Sequence, residues 1–321
     1  MHILTSSRSD SLRRWRTYFL VMAFTLMALT PVAYASEKGA SAWPLGVEGT
    51  LTALEPPPNG TMLQFYATTY NAYELDDSHG NSAVPGFRLH VVAASVRLKH
   101  TWGMKFLGGQ LGSEIAVPVL YENLAVGSVS DDRFSLTNIL LTPFVLSYNK
   151  GSLHYYYAID IQTPGSGYSQ YNMVNIGQHY WSGAPVFGFT VLPNKGKTEI
   201  SDRTMYYIND TNSTTNYHSG NIFITEFSVS QSVTKKLALG IGGSFSKQTT
   251  DDTLQGVSYL DGYRSQDFKI GPTVRLPLGT KGALIFKYYR DTLVQNTTRG
   301  NAFWFQLGCP FPNLNRKAKG Y

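Results

Sequence analysis

A chain of 321 residues has room for two domains, but its composition favours one repetitive β architecture: Tyr, Phe, Thr, Ser, Gly and Asn are abundant and only 15% of side chains are charged. The single cysteine, Cys309, excludes an internal disulfide. The formal charge of +6 is largely terminal, so it does not point to a nucleic-acid partner.

Arg13, Arg14 and Arg16 open the chain with basic charge, Tyr18 to Leu29 is apolar, and Ala33-Tyr34-Ala35 offers a small-x-small cleavage site. Residues 1–35 therefore read as a secretory signal peptide. Removing them takes away Arg8, Arg13, Arg14 and Arg16 against Asp10, leaving 23 basic and 20 acidic side chains. Residues 36–60 form a Gly- and Pro-containing lead-in ending in Pro56-Pro57-Pro58-Asn59-Gly60. Its Trp43, Leu45, Leu51 and Leu54 would suit a segment tucked into an enclosed interior; the alternative is a disordered segment. Residues 312–321 form a basic tail.

Between them, period-two alternation recurs. Strands are expected near 61–75, 87–102, 111–121, 136–148, 152–162, 179–192, 197–209, as a pair within 222–248, and near 264–276, 282–290 and 301–311. The pair around Lys235-Lys236 is the plainest. Phe223, Phe227 and Val229 oppose Glu226, Ser228 and Ser230, and then Leu237, Leu239, Ile241 and Phe245 oppose Ala238, Gly240, Gly242 and Ser244. One apolar face, one polar or small face and a very short turn make an antiparallel hairpin.

The connections alternate in length. Long ones fall near 76–86, 122–135, 163–178, 210–220, 249–263 and 291–300, and short ones near 103–110, 149–151, 193–196, 234–236 and 277–281. All long loops then lie at one end, which is the pattern of a transmembrane antiparallel β-barrel with about twelve strands, short periplasmic turns and longer extracellular loops. Closure removes the edges that lipid would not tolerate. A soluble barrel fits less well, because the face opposite the apolar one carries Asp, Lys, Arg and Gln, which a dry core would not hold without partners. Tyr73, Trp102, Tyr121, Trp181, Tyr259 and Tyr289 near strand ends are candidates for interfacial girdles.

Several stretches resemble the MetA-pathway of phenol degradation family, also called SphA-like. They are Pro57-Pro58-Asn59-Gly60, Gly108-Gly109-Gln110-Leu111-Gly112 followed by Val117-Pro118-Val119, Leu141-Thr142-Pro143, and the loop from Thr163 to Tyr168. Asn209 to Gly220, Ile270-Gly271-Pro272 and Arg299 to Trp304 complete the set. The resemblance spans roughly 56–311. It implies a bacterial outer-membrane barrel, secreted through the inner membrane, associated with aromatic-compound catabolism and acting as a transporter.

Candidate ligand-contacting residues follow. In the 209–220 loop they are Asn209, Asn212, Thr215, Tyr217 and Ser219, whose amides and hydroxyls equally suit a network bracing two strands. Lumen-facing candidates are Tyr66, Tyr70, Tyr156, Trp304 and Gln306, with Gly240, Gly242 and Ser244 leaving space in the wall. Hydrolase constellations (His154 with Asp160, or His179 with Ser182) lack a recognisable signature, the histidines lack metal-ligand spacing, and no cofactor is expected. The reading that results is a passive channel for small hydrophobic or aromatic solutes. Its partners would be outer-membrane lipid, those solutes and, during insertion, the barrel-assembly machinery. A closed, partner-binding barrel is the alternative, and an outer-membrane lipid hydrolase a more distant one.

Overall fold

The computed structural model describes residues 41, 43–279 and 282–311; the signal peptide over 1–35 and the basic tail over 312–321 lie outside them. Twelve antiparallel strands close into a barrel. We number them β1 (Thr61–Leu75), β2 (Phe87–Phe106), β3 (Gly109–Val126), β4 (Val129–Leu136 continued by Leu140–Lys150), β5 (Leu153–Gln162), β6 (Ser182–Val191), β7 (Thr198–Asn209), β8 (Ile222–Thr234), β9 (Leu237–Gln248), β10 (Gln266–Leu278), β11 (Gly282–Asp291) and β12 (Thr298–Pro310). Each strand pairs with its neighbours in sequence, and β12 returns to β1 in a register running from Met62↔Pro310 to Leu75↔Thr298. No edge is left, so every ladder hydrogen bond can be made within the wall.

The alternation sorts side chains as the sequence suggests. Phe65, Val96, Ile115, Phe144, Ile159, Ile241, Phe286 and Phe303 stand exposed on the outside. Arg97, Lys99, Glu114, Asp160, Glu199, Arg203, Glu226, Asp267, Lys269, Lys287 and Asp291 are buried inside. A wall that is apolar outside and charged inside inverts the rule for water-soluble proteins and matches a barrel whose solvent is lipid.

Four expectations need correction. The stretch 122–135 is not a long loop: β3 runs to Val126 and β4 starts at Val129, joined by a tight turn with Gly127 at φ +60°. Its Asn, Asp and Arg residues look loop-like because this hairpin rises past the apolar belt, where a strand needs no lipid-compatible face. β2 likewise continues to Phe106 at the opposite end. Tyr289 is not an interfacial residue. It is buried inside, and a Cβ on Gly242 would meet its hydroxyl at 2.5 Å, so it fills the space that the wall glycine leaves. Tyr259 does not sit at the end of a barrel strand either; it lies in the 249–263 loop, 5.5 Å from the ring of Tyr217.

Ile241 is exposed on the outer face of β9 near mid-strand. Ile241→Arg is expected to destabilise the folded barrel by about 2–4 kcal/mol, and Val233→Arg, beside the short turn, by only about 0–1 kcal/mol. Denaturant titration in lipid vesicles measures both.

Candidate functional site

The interior charges would be unsustainable if each faced a dry lumen alone. The lead-in supplies their partners. Residues 43–55 run inside the barrel, and the Glu226 carboxylate of β8 accepts hydrogen bonds from Trp43 Nε1 (3.0 Å), Gly46 N (2.5 Å) and Glu48 N (2.7 Å). From β11, Lys287 Nζ donates to the carbonyls of Gly46, Val47 and Glu48 at 3.1, 3.0 and 2.7 Å. The wall thus reads both polarities of the segment's backbone. Glu199 holds the next turn of chain by accepting from Leu51 N at 3.1 Å, while the hydroxyls of Ser201, Ser228 and Ser230 donate to the same carboxylate.

The segment also contributes charge. Glu48 pairs with Arg97 at 2.5 Å and accepts from Tyr66 Oη at 2.6 Å; Arg97 is shared with Glu114. Glu55 pairs with Lys99 at 2.6 Å. Arg203 donates to Asp160 and to Tyr156 Oη, and its guanidinium stacks 4.8 Å from the Trp43 ring. Gly46 and Gly49 carry the chain close to the wall at φ +97° and +91°, where a Cβ on Gly46 would press on Tyr289 and Trp304.

Between this segment and the long-loop end lies a cavity of about 350 Å³. Trp43, Pro44, Leu45 and Val47 form its floor. Tyr70, Val91, Ala93, Leu120, Ala302 and Trp304 are among its walls. Its roof includes Asn175, Gly177 and Gln178 from the loop after β5. That loop folds inward: Val174 and Ile176 are buried against Ala72, Phe87 and Leu124. Asn138, in the break of β4, pins it by donating from Nδ2 to the carbonyls of Thr163 and Gln178 while Oδ1 accepts from Gln178 N.

The ten residues singled out from sequence separate into two groups. Tyr66, Tyr70 and Trp304 line the cavity; Tyr156 and Gln306 face the interior below it. Asn209, Asn212, Thr215, Tyr217 and Ser219 are not among its lining residues. Asn212 and Tyr217 belong to a small four-stranded sheet of Thr211–Asn212, Tyr217–His218, Thr253–Leu254 and Val257–Ser258; Thr215 and Ser219 flank its strands, and Asn209 ends β7. There Asp252 accepts from Tyr217 Oη, from Gly220 N at 2.8 Å and from Gln248 Nε2 at 2.8 Å. His154 contacts Asn149, not Asp160. The roof residues Asn138, Asn175 and Gln178 escaped the sequence reading. The only hint was the Thr163–Tyr168 motif at the base of the same loop.

The family described as the MetA-pathway of phenol degradation matches the chain over residues 72–307. Among solved structures, an outer membrane channel from Pseudomonas putida superposes with a TM-score of 0.72 at 15% identity, covering 82% of this chain and all of that one. The β domain of the Bordetella autotransporter BrkA superposes with a TM-score of 0.49 at 11% identity, covering 79% of this chain and 100% of the other. No curated protein sequence matches the chain. The first of these likenesses bears on the fold: a twelve-stranded outer-membrane barrel.

Two measurements follow from this geometry. Glu226→Leu leaves three buried donors, Trp43 Nε1, Gly46 N and Glu48 N, without their carboxylate, at about 1–3 kcal/mol for each unsatisfied group. The inner segment should loosen, seen as a red shift of Trp43 emission and a several-fold rise in ion conductance across planar bilayers. Separately, burial pushes the Asp252 carboxyl up from its ordinary 3.8 to about 6, against the downward pull of its hydrogen bonds from Tyr217, Gly220 and Gln248. A raised pKa means that its support of the small sheet is complete below pH 4 and is lost as pH rises through about 6. A spin label at exposed Val257 should therefore gain mobility between pH 5 and 7 in the native protein and not in Asp252→Asn.

Proposed function

The chain belongs to the MetA-pathway of phenol degradation family, and from that premise we propose that it is an outer-membrane channel for passive uptake of small hydrophobic or aromatic compounds. The observation that carries this reading is the roofed cavity of about 350 Å³, whose walls are mainly apolar and aromatic. Such a space suits a solute about the size of one aromatic ring with a short substituent. Solute collects in the chamber from the extracellular side, rests against Tyr70 and Trp304 on a floor of Trp43, Leu45 and Val47, and leaves toward the periplasm when the inner segment shifts. Movement follows the concentration gradient and needs no cofactor. The family description, which concerns phenol degradation, and the likeness to an outer membrane channel both support this direction.

The sealed floor favours a second reading: a barrel closed to bulk flow. The hydrogen bonds of Glu226 and Lys287 to residues 43–48 hold the lumen shut to ions in the resting state. The two readings separate in liposomes carrying the refolded protein, with heat-modifiable gel mobility to confirm folding. Uptake of small aromatics well above that of empty liposomes, with little flux of sugars, is the expected result. Trp304→Ala should change aromatic uptake at least about threefold, on the scale of one aromatic contact worth 0.5–1.5 kcal/mol. Tyr217→Ala, outside the chamber, should leave it near native. Absence of aromatic uptake through a folded barrel would decide for the closed reading.

A further inference from the structure

The short-turn end of the barrel carries charge of one sign. Residues 103–110, 149–152, 192–197, 233–236 and 279–281 contain lysine in every turn and no Asp or Glu. Lys105 stands between β2 and β3, Lys150 between β4 and β5, Lys195 and Lys197 between β6 and β7, and Lys235 and Lys236 between β8 and β9. Lys281, between β10 and β11, lies outside the described residues. The other six are exposed, and none forms an ion pair among the described residues. The long-loop end is mixed instead: Arg133 pairs with Asp131, Arg264 with Asp251, and Arg299 with Glu74 and Asp76.

The same turns expose apolar side chains. Met104, Phe106 and Leu107 surround Lys105, with Leu107 76% exposed, and exposed Val233 stands two residues before Lys235. Lys150 Nζ lies 5.8 Å from the centroid of the Tyr155 ring, which stacks on Tyr148; Tyr148 Oη donates to the Leu107 carbonyl at 3.1 Å. Apolar surface of this kind is stable against hydrocarbon and not against water, which sets the turns where the acyl chains of the periplasmic leaflet end. A lysine at that level lays its methylene stem along the apolar surface and raises its ammonium among the headgroups.

The distribution of the six lysines selects the partner. They come from four turns that join eight of the twelve strands, so they follow the rim and are not gathered on one sector. A protein docked beneath the barrel would leave the outward apolar residues without hydrocarbon, whereas a shell of lipid meets the ammonium groups and the apolar side chains together. We propose that these lysines form a collar that binds anionic phospholipid in the periplasmic leaflet, their ammonium groups donating to headgroup phosphates. A zwitterionic headgroup brings its own ammonium and is the weaker ligand. The collar does not depend on the channel reading, since none of its lysines lines the chamber.

Two tryptophans report on the two rims. Trp102 is exposed beside the first of these turns, and Trp181 beside the loop after β5 at the other end. The mature barrel is reconstituted in phosphatidylcholine vesicles containing a rising fraction of brominated phosphatidylglycerol or brominated phosphatidylcholine, whose acyl chains quench tryptophan on contact. Trp181→Phe isolates the periplasmic reporter and Trp102→Phe the extracellular one; Trp43 and Trp304, buried in the lumen, add a background common to both lipids. At low salt the phosphatidylglycerol is expected to occupy the shell at Trp102 about threefold more strongly than the phosphatidylcholine. The preference should fall toward unity in about 0.5 M salt and be absent at Trp181. Lys105→Gln with Lys150→Gln, on either side of the Tyr148–Leu107 contact, should remove most of it. If that pair does not show heat-modifiable folding, Lys105→Gln alone should at least halve it. The basic tail is present in every form and cancels in the comparison. Equal quenching by the two lipids at Trp102, an equal preference at Trp181, or a preference unmoved by salt and substitution would overturn the collar. So would co-sedimentation with peptidoglycan that the same substitutions abolish in the absence of any lipid preference, which would assign the lysines to the acidic cell wall.

Discussion

The structure depends on a reciprocal hydrogen-bonding exchange between the barrel wall and the backbone of residues 43–48. Glu226 takes the segment's N–H groups and Lys287 takes its C=O groups. Neither side is stable alone. A carboxylate and an ammonium inside a narrow barrel need partners, and an irregular segment buried away from water needs every peptide group satisfied. Each supplies what the other lacks, so the lumen can be charged and filled at the same time. The charges on the segment extend the arrangement, since Glu48 and Glu55 neutralise Arg97 and Lys99, which project from β2.

This exchange sets the shape of the functional space. The inner segment closes the barrel from below, and the loop after β5 folds over it from above, pinned by Asn138 where β4 is interrupted. What remains between them is walled in large part by apolar and aromatic side chains, among them Leu45, Val47, Val91, Leu120 and Trp304. The polar lumen seen in the strand alternation is thus divided: a lower part that holds chain, and an upper part that holds space.

How far the sequence could be read differs between wall and contents. The alternation of Leu237, Leu239 and Ile241 against Ala238, Gly240 and Gly242 fixes a strand and its lipid face through local geometry alone, and so does the alternation of long and short connections. The inward parity of Tyr66, Tyr70, Tyr156, Trp304 and Gln306 follows from the same rule. Where the rule stops, the reading erred. The polar run at 122–135 looked like a loop because strand signals assume an apolar face, which a hairpin standing above lipid does not need. Tyr289 looked interfacial because chemistry near a strand end does not say which way the ring points; the small Gly242 opposite it decides that in three dimensions.

The chain by itself determined a closed, twelve-stranded barrel with its apolar face outward, because period two and closure are properties of successive residues. Tertiary structure alone decided what occupies the lumen. That Glu226 meets Gly46 across 180 residues of sequence, and that Asn209 to Gly220 braces Asp252 instead of lining the chamber, are outcomes of curvature and register around the ring. Those place side chains from distant strands against one another, and no local pattern encodes the distances between them.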